Sequence, residues 1–489
     1  GKKGFIEQDI AKFEVDELWN PGRRGMSYNQ MREYFRRLEE YLENQDILER
    51  KSVRFFSALE NIERSKYVKY YSKDDKIQEL LKEYFLLNGL EILENRDGSY
   101  YLNYSSGEKI LMVTWGSLGI GGGVATYVNT LESYLSKLGY NFYEIGLYED
   151  PSNPGRMVYE IRDKDKFRRV KREEIENFVK KLNPDIIHIS NYMSGVKLNE
   201  ESLLRFLNKL GKPIITTFHG CLKEILDVED SPYIRGEEEL IQFSDVLVGN
   251  EYLKEAFLHK YRNRTPLIED KWRSIEPASL LYTYYSQVDE EEVKKIREMY
   301  EENWIILYHG RITESKGIPE LIDAVKLLNE QGYQVKLLLI GKLPSNVSTL
   351  EEIYGDSVPN FVEYLGPKFG KELATYLKAA HISVQPSHYD SFNYSLLESL
   401  IFEVPAVSFD ISAPEHYYNK YITRAVYSEC YDERVRNLRR AIEDVMENYD
   451  ARPQSAKKAK IELLPTHSIG NFIFSYSQLY KSVSEKLNS

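Results

Sequence analysis

Two carboxylates flank one loop-to-helix junction in the last third of this 489-residue chain. Asp390 lies in a polar loop after an apolar run at 382–384, and Glu398 lies in the helical pattern that follows. Open α/β sheets bind ligands in the loops outside the carboxyl ends of their strands. The pattern therefore predicts a strand–loop–helix unit whose acids meet a ligand. The alternative is one more βαβ unit with solvated acids.

Two cations follow an earlier strand in the same way. Arg311 and Lys316 come after a strand at 304–308 and before a helix that begins near Pro319. Fixed cations ahead of a helix N-terminus suit a pyrophosphate, because the helix adds free N–H groups to their charge. The alternative is a solvated loop.

Two further stretches are candidates for ligand contact. A glycine-rich loop at 117–123 lies between a strand and a helix, and Gly122 and Gly123 would let the backbone approach an anion. Its spacing does not match the dinucleotide-binding fingerprint. His219 follows a strand at 213–218 and is a candidate site residue, whereas His188, inside a strand, is predicted to be core.

The elements that position these residues form two successive series of strands and helices. The strands are predicted at 110–115, 185–190, 213–218 and 245–248, and then at 304–308, 335–340, 361–364, 382–384 and 406–409. Such alternation predicts two doubly wound domains facing each other across a cleft. An amphipathic helix at 469–483 has no strand after it and is expected to pack back on the first domain.

The first hundred residues carry no catalytic signature. Helices are predicted at 28–48, 53–62 and 76–87, and a hairpin at 91–104 around Asp97-Gly98. We expect this extension to recognise an acceptor, to mediate homo- or hetero-oligomer assembly, or to cap the next domain.

Composition excludes some classes of function. The net charge of -12 argues against nucleic-acid binding, which needs a basic surface. No apolar run approaches the roughly 20 residues that span a bilayer. Two distant cysteines, Cys221 and Cys430, indicate a reducing compartment. We expect a cytoplasmic protein without a signal peptide, with peripheral contact at the inner face of the membrane.

The order of these motifs resembles that of the retaining glycosyltransferases of family 4, which have the GT-B fold. The resemblance covers roughly residues 109–483 and leaves the extension unexplained. In chain order, the motifs are Gly122-Gly123-Val124, then Thr217-Phe218-His219-Gly220, then Gly310-Arg311 with Lys316-Gly317, and finally Asp390 to Glu398 followed by Pro405 and Ala413-Pro414-Glu415.

The resemblance implies a role for each site residue. Glu398 would hold the ribose hydroxyls, Asp390 would lie near the donor sugar, and His219 would touch the transferred sugar. Arg311 and Lys316 would stabilise the leaving diphosphate and count with His219 and Asp390 as catalytic. The expected donor-binding set is Gly122, Gly123, Arg311, Lys316, Ser391, Phe392, Asn393, Tyr394 and Glu398.

The implied activity is retaining transfer of a sugar from a nucleotide-sugar, a UDP-sugar in our prediction, to a glycan, lipid-linked or protein acceptor, in surface polysaccharide or glycoconjugate synthesis. The expected domains are a helical extension (1–105), an acceptor-side domain (106–300), a donor domain (301–465) and a returning helix (466–489). The alternatives are a catalytically inactive sugar-binding or scaffold subunit and a nucleotide-sugar epimerase.

Departures from the family pattern raise the inactive alternative. Asp390 stands where the family usually has Glu, Ser391-Phe392-Asn393 replaces a frequent G-F-G, and Gly341-Lys342-Leu343-Pro344 replaces G-D-G-P. The triplet Asp163-Lys164-Asp165 lies in a charged run and is interpreted as a solvated face, with no apolar strand leading into it. We therefore expect no metal and no cofactor, with the fixed cations balancing the diphosphate.

Overall fold

The computed structural model describes four short strands before residue 104 and most of the chain from residue 108 onward. The gaps after 108 are 116–122, 138, 151, 154–155, 164–165, 192–202, 227 and 489. The helices predicted at 28–48, 53–62 and 76–87 lie outside the described residues, as does Gly122. Chain contacts divide the described chain from 108 into unit 1, residues 108–278 with 469–488, and unit 2, residues 279–468.

A small antiparallel sheet precedes both central sheets. Its strands are β1 (Glu14–Val15), β2 (Val68–Tyr70), β3 (Glu91–Glu94) and β4 (Tyr100–Asn103), in the order β1-β2-β4-β3. The predicted hairpin is confirmed, because Glu91 pairs with Asn103 and Glu94 with Tyr100. Strands β1 and β2 were not predicted.

Unit 1 is built on an eight-stranded sheet in the order β12-β11-β10-β9-β5-β6-β7-β8. The strands are β5 (Lys109–Trp115), β6 (Asn141–Glu149), β7 (Met157–Asp163), β8 (Lys166–Val170), β9 (Ile186–Asn191), β10 (Ile214–Phe218), β11 (Val246–Gly249) and β12 (Trp272–Ser274). The helices are α1 (Gly123–Lys137), α2 (Arg172–Leu182), α3 (Leu203–Lys209), α4 (Leu222–Ile225), α5 (Pro232–Phe243), α6 (Glu251–Lys260) and α7 (Thr265–Lys271). Strands β5, β6 and β9 to β12 are parallel, whereas β7 runs antiparallel to both of its neighbours, β6 and β8.

The antiparallel edge corrects one interpretation of the sequence. Asp163 ends β7 and pairs with Lys166, the first residue of β8. A strand therefore does lead into the charged triplet. The charged residues Glu160 and Arg162 interrupt the apolar residues of β7, so its sequence does not stand out as an apolar strand.

The C-terminal helix, Ile469–Asn488, belongs to unit 1. Its Tyr476 hydroxyl lies 2.8 Å from Thr217 Oγ1, and its Tyr480 hydroxyl lies 2.6 Å from His188 Nδ1. All four side chains are buried. Because buried polar groups must be paired, these bonds fix where the helix sits on the sheet.

Unit 2 is a six-stranded, wholly parallel sheet in the order β15-β14-β13-β16-β17-β18. Its strands are β13 (Trp304–His309), β14 (Val335–Ile340), β15 (Val362–Gly366), β16 (Ile382–Val384), β17 (Ala406–Phe409) and β18 (Thr423–Ala425). Its helices are α8 (Glu290–Met299), α9 (Ile318–Glu330), α10 (Leu350–Tyr354), α11 (Gly370–Ala379), α12 (Tyr394–Ile401), α13 (Ser412–Tyr418), α14 (Tyr431–Glu447) and α15 (Arg452–Leu463).

Both faces of this second sheet are covered. In β13, Ile305 and Leu307 enter one apolar cluster, and Ile306 and Tyr308 enter the other. Such near-continuous apolar strands are typical of parallel sheets buried on both sides. The division between the units falls after Ala278, ahead of the expected boundary at 300, because 281–299 packs into the first of these clusters.

Candidate functional site

The strand order of unit 2 reverses between β13 and β16, so the loops after these two neighbours start side by side. Ligands of doubly wound sheets bind at such a switch point, outside the carboxyl ends of the strands. The loop after β13 covers residues 310–317, and the loop after β16 covers 385–393. We call them the paired loops. They carry most of the site residues that the sequence predicts.

Three consecutive residues join the paired loops. The carbonyl of Ser315 accepts a hydrogen bond of 2.9 Å from the backbone N–H of His388. The Lys316 ammonium lies 2.6 Å from Asp390 Oδ1. Gly317 lies against the backbone of Pro386. The two loops therefore form one structure, and a change in either one moves the other.

Gly317 has to be glycine for two reasons. Its φ of 75° is in the left-handed region, and a Cβ there would lie 2.0 Å from the carbonyl oxygen of Pro386. A side chain would thus meet backbone, which cannot rotate away. Gly317 also precedes α9, whose N-terminus is the positive end of the helix dipole and attracts an anion.

Asp390 is held from several sides. Lys316 engages one carboxylate oxygen, and the Asn393 amide donates a hydrogen bond of 2.8 Å to the other, Oδ2. The backbone N–H of Asp390 donates to Ser412 Oγ at 3.0 Å. The residue is 9% exposed, so its charge is compensated mainly by these partners.

Asn393 explains how the chain does without a glycine in the second loop. Its φ is 68°, a left-handed conformation that asparagine tolerates. Its Oδ1 accepts a 2.9 Å hydrogen bond from the N–H of Leu396 and so caps α12. Its Nδ2 donates to Asp390. One side chain therefore starts the helix and orients the carboxylate.

A buried ion network lies behind the paired loops. Glu320 Oε1 lies 2.8 Å from His388 Nε2 and 3.0 Å from Arg434 Nε. Arg434 also donates to the carbonyls of Ser428 and Glu429. Burial alone would raise the pKa of Glu320, but the hydrogen bonds from His388 and Arg434 lower it overall. The network anchors the second loop to the first turn of α9.

The other predicted residues of unit 2 have different environments. Arg311 is exposed, and its carbonyl accepts a 2.6 Å hydrogen bond from the buried Tyr308 hydroxyl. Glu398 lies in α12 with its side chain 15% exposed. Ser391 and Tyr394 are half-buried. Phe392 is core: it is 4% exposed and packs on aromatic rings that include Tyr417 and Tyr418.

In unit 1, His219 directly follows β10. Its Nε2 lies 2.7 Å from Ser190 Oγ, and the Tyr127 ring meets its ring edge-on at a centroid distance of 4.7 Å. Burial lowers the pKa of His219 to about 4, so the imidazole is neutral at neutral pH. The sequence places His188 in the core, and it is 1% exposed. Gly123 begins α1.

Some polar residues near the paired loops were not identified as site residues from the sequence. His309 and Gln385 are polar residues at the carboxyl ends of the two strands that flank the switch point. That position is the signal that could have identified them. Glu320 and His388 had no comparable signal, because a polar residue in a helix or loop is usually solvated.

The arrangement suits an anion flanked by hydroxyl groups. Arg311 is exposed, and the Lys316 ammonium keeps N–H donors beyond the one that it gives to Asp390. With the N-terminus of α9, both cations can meet negative charge, and Glu398 can accept hydrogen bonds from hydroxyls. Among the described residues, no three His, Cys, Asp or Glu side chains are grouped as metal ligands would be. In the same part of the chain, no helix has the length and apolar character needed to cross a bilayer.

Comparison with known proteins identifies two family segments. Residues 121–266 match the profile described as Glycosyltransferase Family 4, and residues 289–462 match Glycosyl transferases group 1. The capsular polysaccharide biosynthesis glycosyltransferase CapM of Staphylococcus aureus is 30% identical over 26% of this chain and 33% of its own length. A D-inositol 3-phosphate glycosyltransferase of Pseudarthrobacter chlorophenolicus is 25% identical over 48% of this chain and 57% of its own. The chain thus spans less than two thirds of these relatives.

Solved structures share the fold. Sucrose-phosphate synthase from Thermosynechococcus elongatus has a TM-score of 0.52 at 17% identity, covering 78% of this chain and 97% of its own. The Anabaena protein HepE, in complex with UDP and glucose, has a TM-score of 0.55 at 14% identity, covering 78% and 100%. These structures show that the chain has the GT-B fold, and the two profile matches at 121–266 and 289–462 place the chain among the family 4 and group 1 glycosyltransferases.

Proposed function

We propose that the chain transfers a sugar from a nucleoside diphosphate sugar to an acceptor hydroxyl, with the paired loops binding the diphosphate. The bond between the anomeric carbon and the β-phosphate oxygen breaks, and the acceptor oxygen bonds to that carbon. The acceptor proton leaves with the diphosphate. Family membership favours retention of the anomeric configuration, without a metal ion.

One observation carries this proposal: the Lys316–Asp390–Asn393 contacts at the switch point of unit 2. They fix an ammonium beside the N-terminus of α9, where developing charge on a leaving diphosphate would be stabilised without reorganisation. We propose UDP as the nucleotide, because HepE is solved with UDP and with UDP-glucose. The role in capsular polysaccharide synthesis that is named for CapM supports a glycan or lipid-linked acceptor in surface polysaccharide synthesis.

A second candidate is a subunit that binds the donor without transferring the sugar. Both oxygens of Asp390 are engaged, by Lys316 and by Asn393, which limits what this shortened acid can offer to a sugar. The epimerase alternative has no such observation in its favour.

The test compares binding with turnover. The wild-type chain is titrated with UDP, GDP and ADP in a calorimeter and incubated with the corresponding labelled sugars. Lys316→Ala should weaken binding of the diphosphate and lower turnover by roughly a hundredfold, the scale of losing one preorganised charge. Lys378→Ala is the control, because Lys378 is also half-buried and paired, 3.3 Å from Glu290.

Binding of a nucleoside diphosphate together with sugar transfer supports the proposal. Tight binding without transfer to any acceptor or to water supports the inactive subunit. If no nucleoside diphosphate binds, or if Lys378→Ala weakens binding as much as Lys316→Ala, the paired loops are not the donor site.

A further inference from the structure

A row of buried polar side chains runs beneath α12. It starts at Ser399 in that helix, passes through Ser383 and Gln385 of the β16 region and His309 at the end of β13, and returns to the helix at Glu398. The first four residues are between 0% and 4% exposed. A row of this kind is costly to bury unless its hydrogen bonds are ordered.

The direction of the first bonds follows from counting hydrogens. Ser399 Oγ donates its only hydrogen to the carbonyl of Ser395, at 2.7 Å. Its contact of 2.6 Å with Ser383 Oγ therefore needs the hydrogen of Ser383. Ser383 has then used its donor and can only accept from its remaining neighbour.

That neighbour is Gln385. Its side-chain nitrogen lies 3.3 Å from Ser383 Oγ, which must accept, so the amide presents its NH₂ group on this side. The same nitrogen lies 3.4 Å from His309 Nδ1. Since the nitrogen is a donor, Nδ1 is the acceptor, and the proton of the neutral imidazole is on Nε2.

His309 Nε2 faces Glu398. It lies 3.3 Å from Glu398 Oε2, and it is a buried nitrogen without a hydrogen-bond partner among the described residues. The carbonyl of His309 accepts a 2.7 Å hydrogen bond from Ser395 Oγ, which fixes the backbone at this point. The row thus turns an N–H group toward one oxygen of the Glu398 carboxylate, 3.3 Å away, without completing a hydrogen bond to it in this structure.

We propose that His309 is a positioning residue for nucleotide recognition. When a nucleotide binds, the Nε2–H of His309, directed by Ser399, Ser383 and Gln385, completes a hydrogen bond to Glu398 Oε2 and orients the carboxylate to accept hydrogen bonds from ribose hydroxyls. This inference rests on the proposed function, in which Glu398 meets the ribose. It assigns the discrimination between ribose and deoxyribose to a histidine that does not touch the nucleotide.

The test measures that discrimination directly. Whichever of UDP, ADP and GDP binds the wild-type chain is compared with its 2′,3′-dideoxy form and with inorganic pyrophosphate. The wild type should prefer the ribose form about tenfold, the scale of a hydrogen bond to a charged group. His309→Asn keeps a polar atom near Nδ1 but none near Nε2, so the preference should fall to near one. His309→Gln places an amide nitrogen near Nε2 and should restore most of it.

Two comparisons separate positioning from general damage. Pyrophosphate should bind equally well to the wild type and to His309→Asn. His381→Asn removes another histidine of the same sheet, whose Nδ1 accepts a 2.9 Å hydrogen bond from the N–H of Ile305 at the other end of β13. The His381→Asn variant loses the imidazole that packs against Trp304 and Tyr449, so its stability should fall while its ribose preference stays unchanged. If His309→Asn does not fold, Gln385→Met takes its place and should reduce the preference several-fold.

The inference is overturned if these variants keep the full ribose preference. It is also overturned if their affinities for the ribose form, the dideoxy form and pyrophosphate all fall to the same extent. A wild-type chain that binds none of the three nucleotides overturns the proposed function itself, and this inference with it.

Discussion

Replacing Gly317 with alanine tests whether the paired loops act as one structure. The backbone of Gly317 has a φ of 75°, and its new Cβ would lie 2.0 Å from the carbonyl oxygen of Pro386. A matched control exists in Gly355, which has a φ of 82° and where an added Cβ would have no neighbouring atom within 4 Å. Both variants carry the left-handed strain, and only one carries the clash.

The expected costs differ by a calculable amount. Left-handed alanine costs roughly 1–2 kcal/mol in either variant. The clash in Gly317→Ala adds about 1–3 kcal/mol, because a backbone carbonyl has to shift. The shift separates the loops and weakens the Lys316–Asp390 contact of 2.6 Å. A displaced Lys316 would lose its proposed charge-assisted bond to the diphosphate, worth about 1.5–3 kcal/mol, so nucleotide affinity should fall at least tenfold.

Urea unfolding gives the stability of each variant, and calorimetry gives its affinity for the nucleoside diphosphate. We expect Gly317→Ala to lose more stability than Gly355→Ala. Only Gly317→Ala should bind the nucleoside diphosphate more weakly than the wild type. Equal losses of stability, with unchanged affinity in both variants, would refute the reasoning.

Three further predictions concern other parts of the chain. His219→Ala should lower turnover more than affinity for the bare diphosphate; equal losses would rule out its assigned role. Burial lowers the pKa of His188 to about 3 from 6.5, so its contribution to stability is present above pH 6.5 and is lost as the pH falls toward 3. The free energy of unfolding should fall by roughly 3 kcal/mol between pH 6.5 and about pH 4.5. When unfolding is measured over this pH range, His188→Phe should show a smaller dependence of that free energy on pH than the wild type. An equal dependence in both proteins would contradict the prediction. EDTA should leave transfer largely intact; loss reversed by Mg²⁺ or Mn²⁺ would show that a metal is needed.

Much of the fold could be predicted because the strands are apolar and end at turn signals. The strands predicted at 335–340, 382–384 and 406–409 are confirmed with the same bounds. The edge hairpin of β7 and β8 was missed, because its residues alternate with charges that resemble a solvated run. Periodicity reports burial, and the edge strand β8 is exposed at Phe167, Arg168 and Arg169.

The site residues taken from the sequence stay a prediction, and sequence patterns did not foresee the contacts that these residues make. The sequence suggested that Asp390 and Lys316 serve separate groups of a donor, whereas the two side chains are bonded to each other. Phe392 was expected at the donor and packs in the core. Long-range pairs such as His309 with Glu398 depend on which strands become neighbours, and local patterns do not encode that order.

Hydrogen exchange on the full chain, with and without the nucleoside diphosphate that binds it, is the most direct test of the central claim that the paired loops are the donor site. Ligand binding should slow exchange at the backbone amides of residues 310–318 and 388–398, and Lys316→Ala should abolish that protection while Lys378→Ala keeps it. Protection that appears elsewhere and spares both loops would contradict the account.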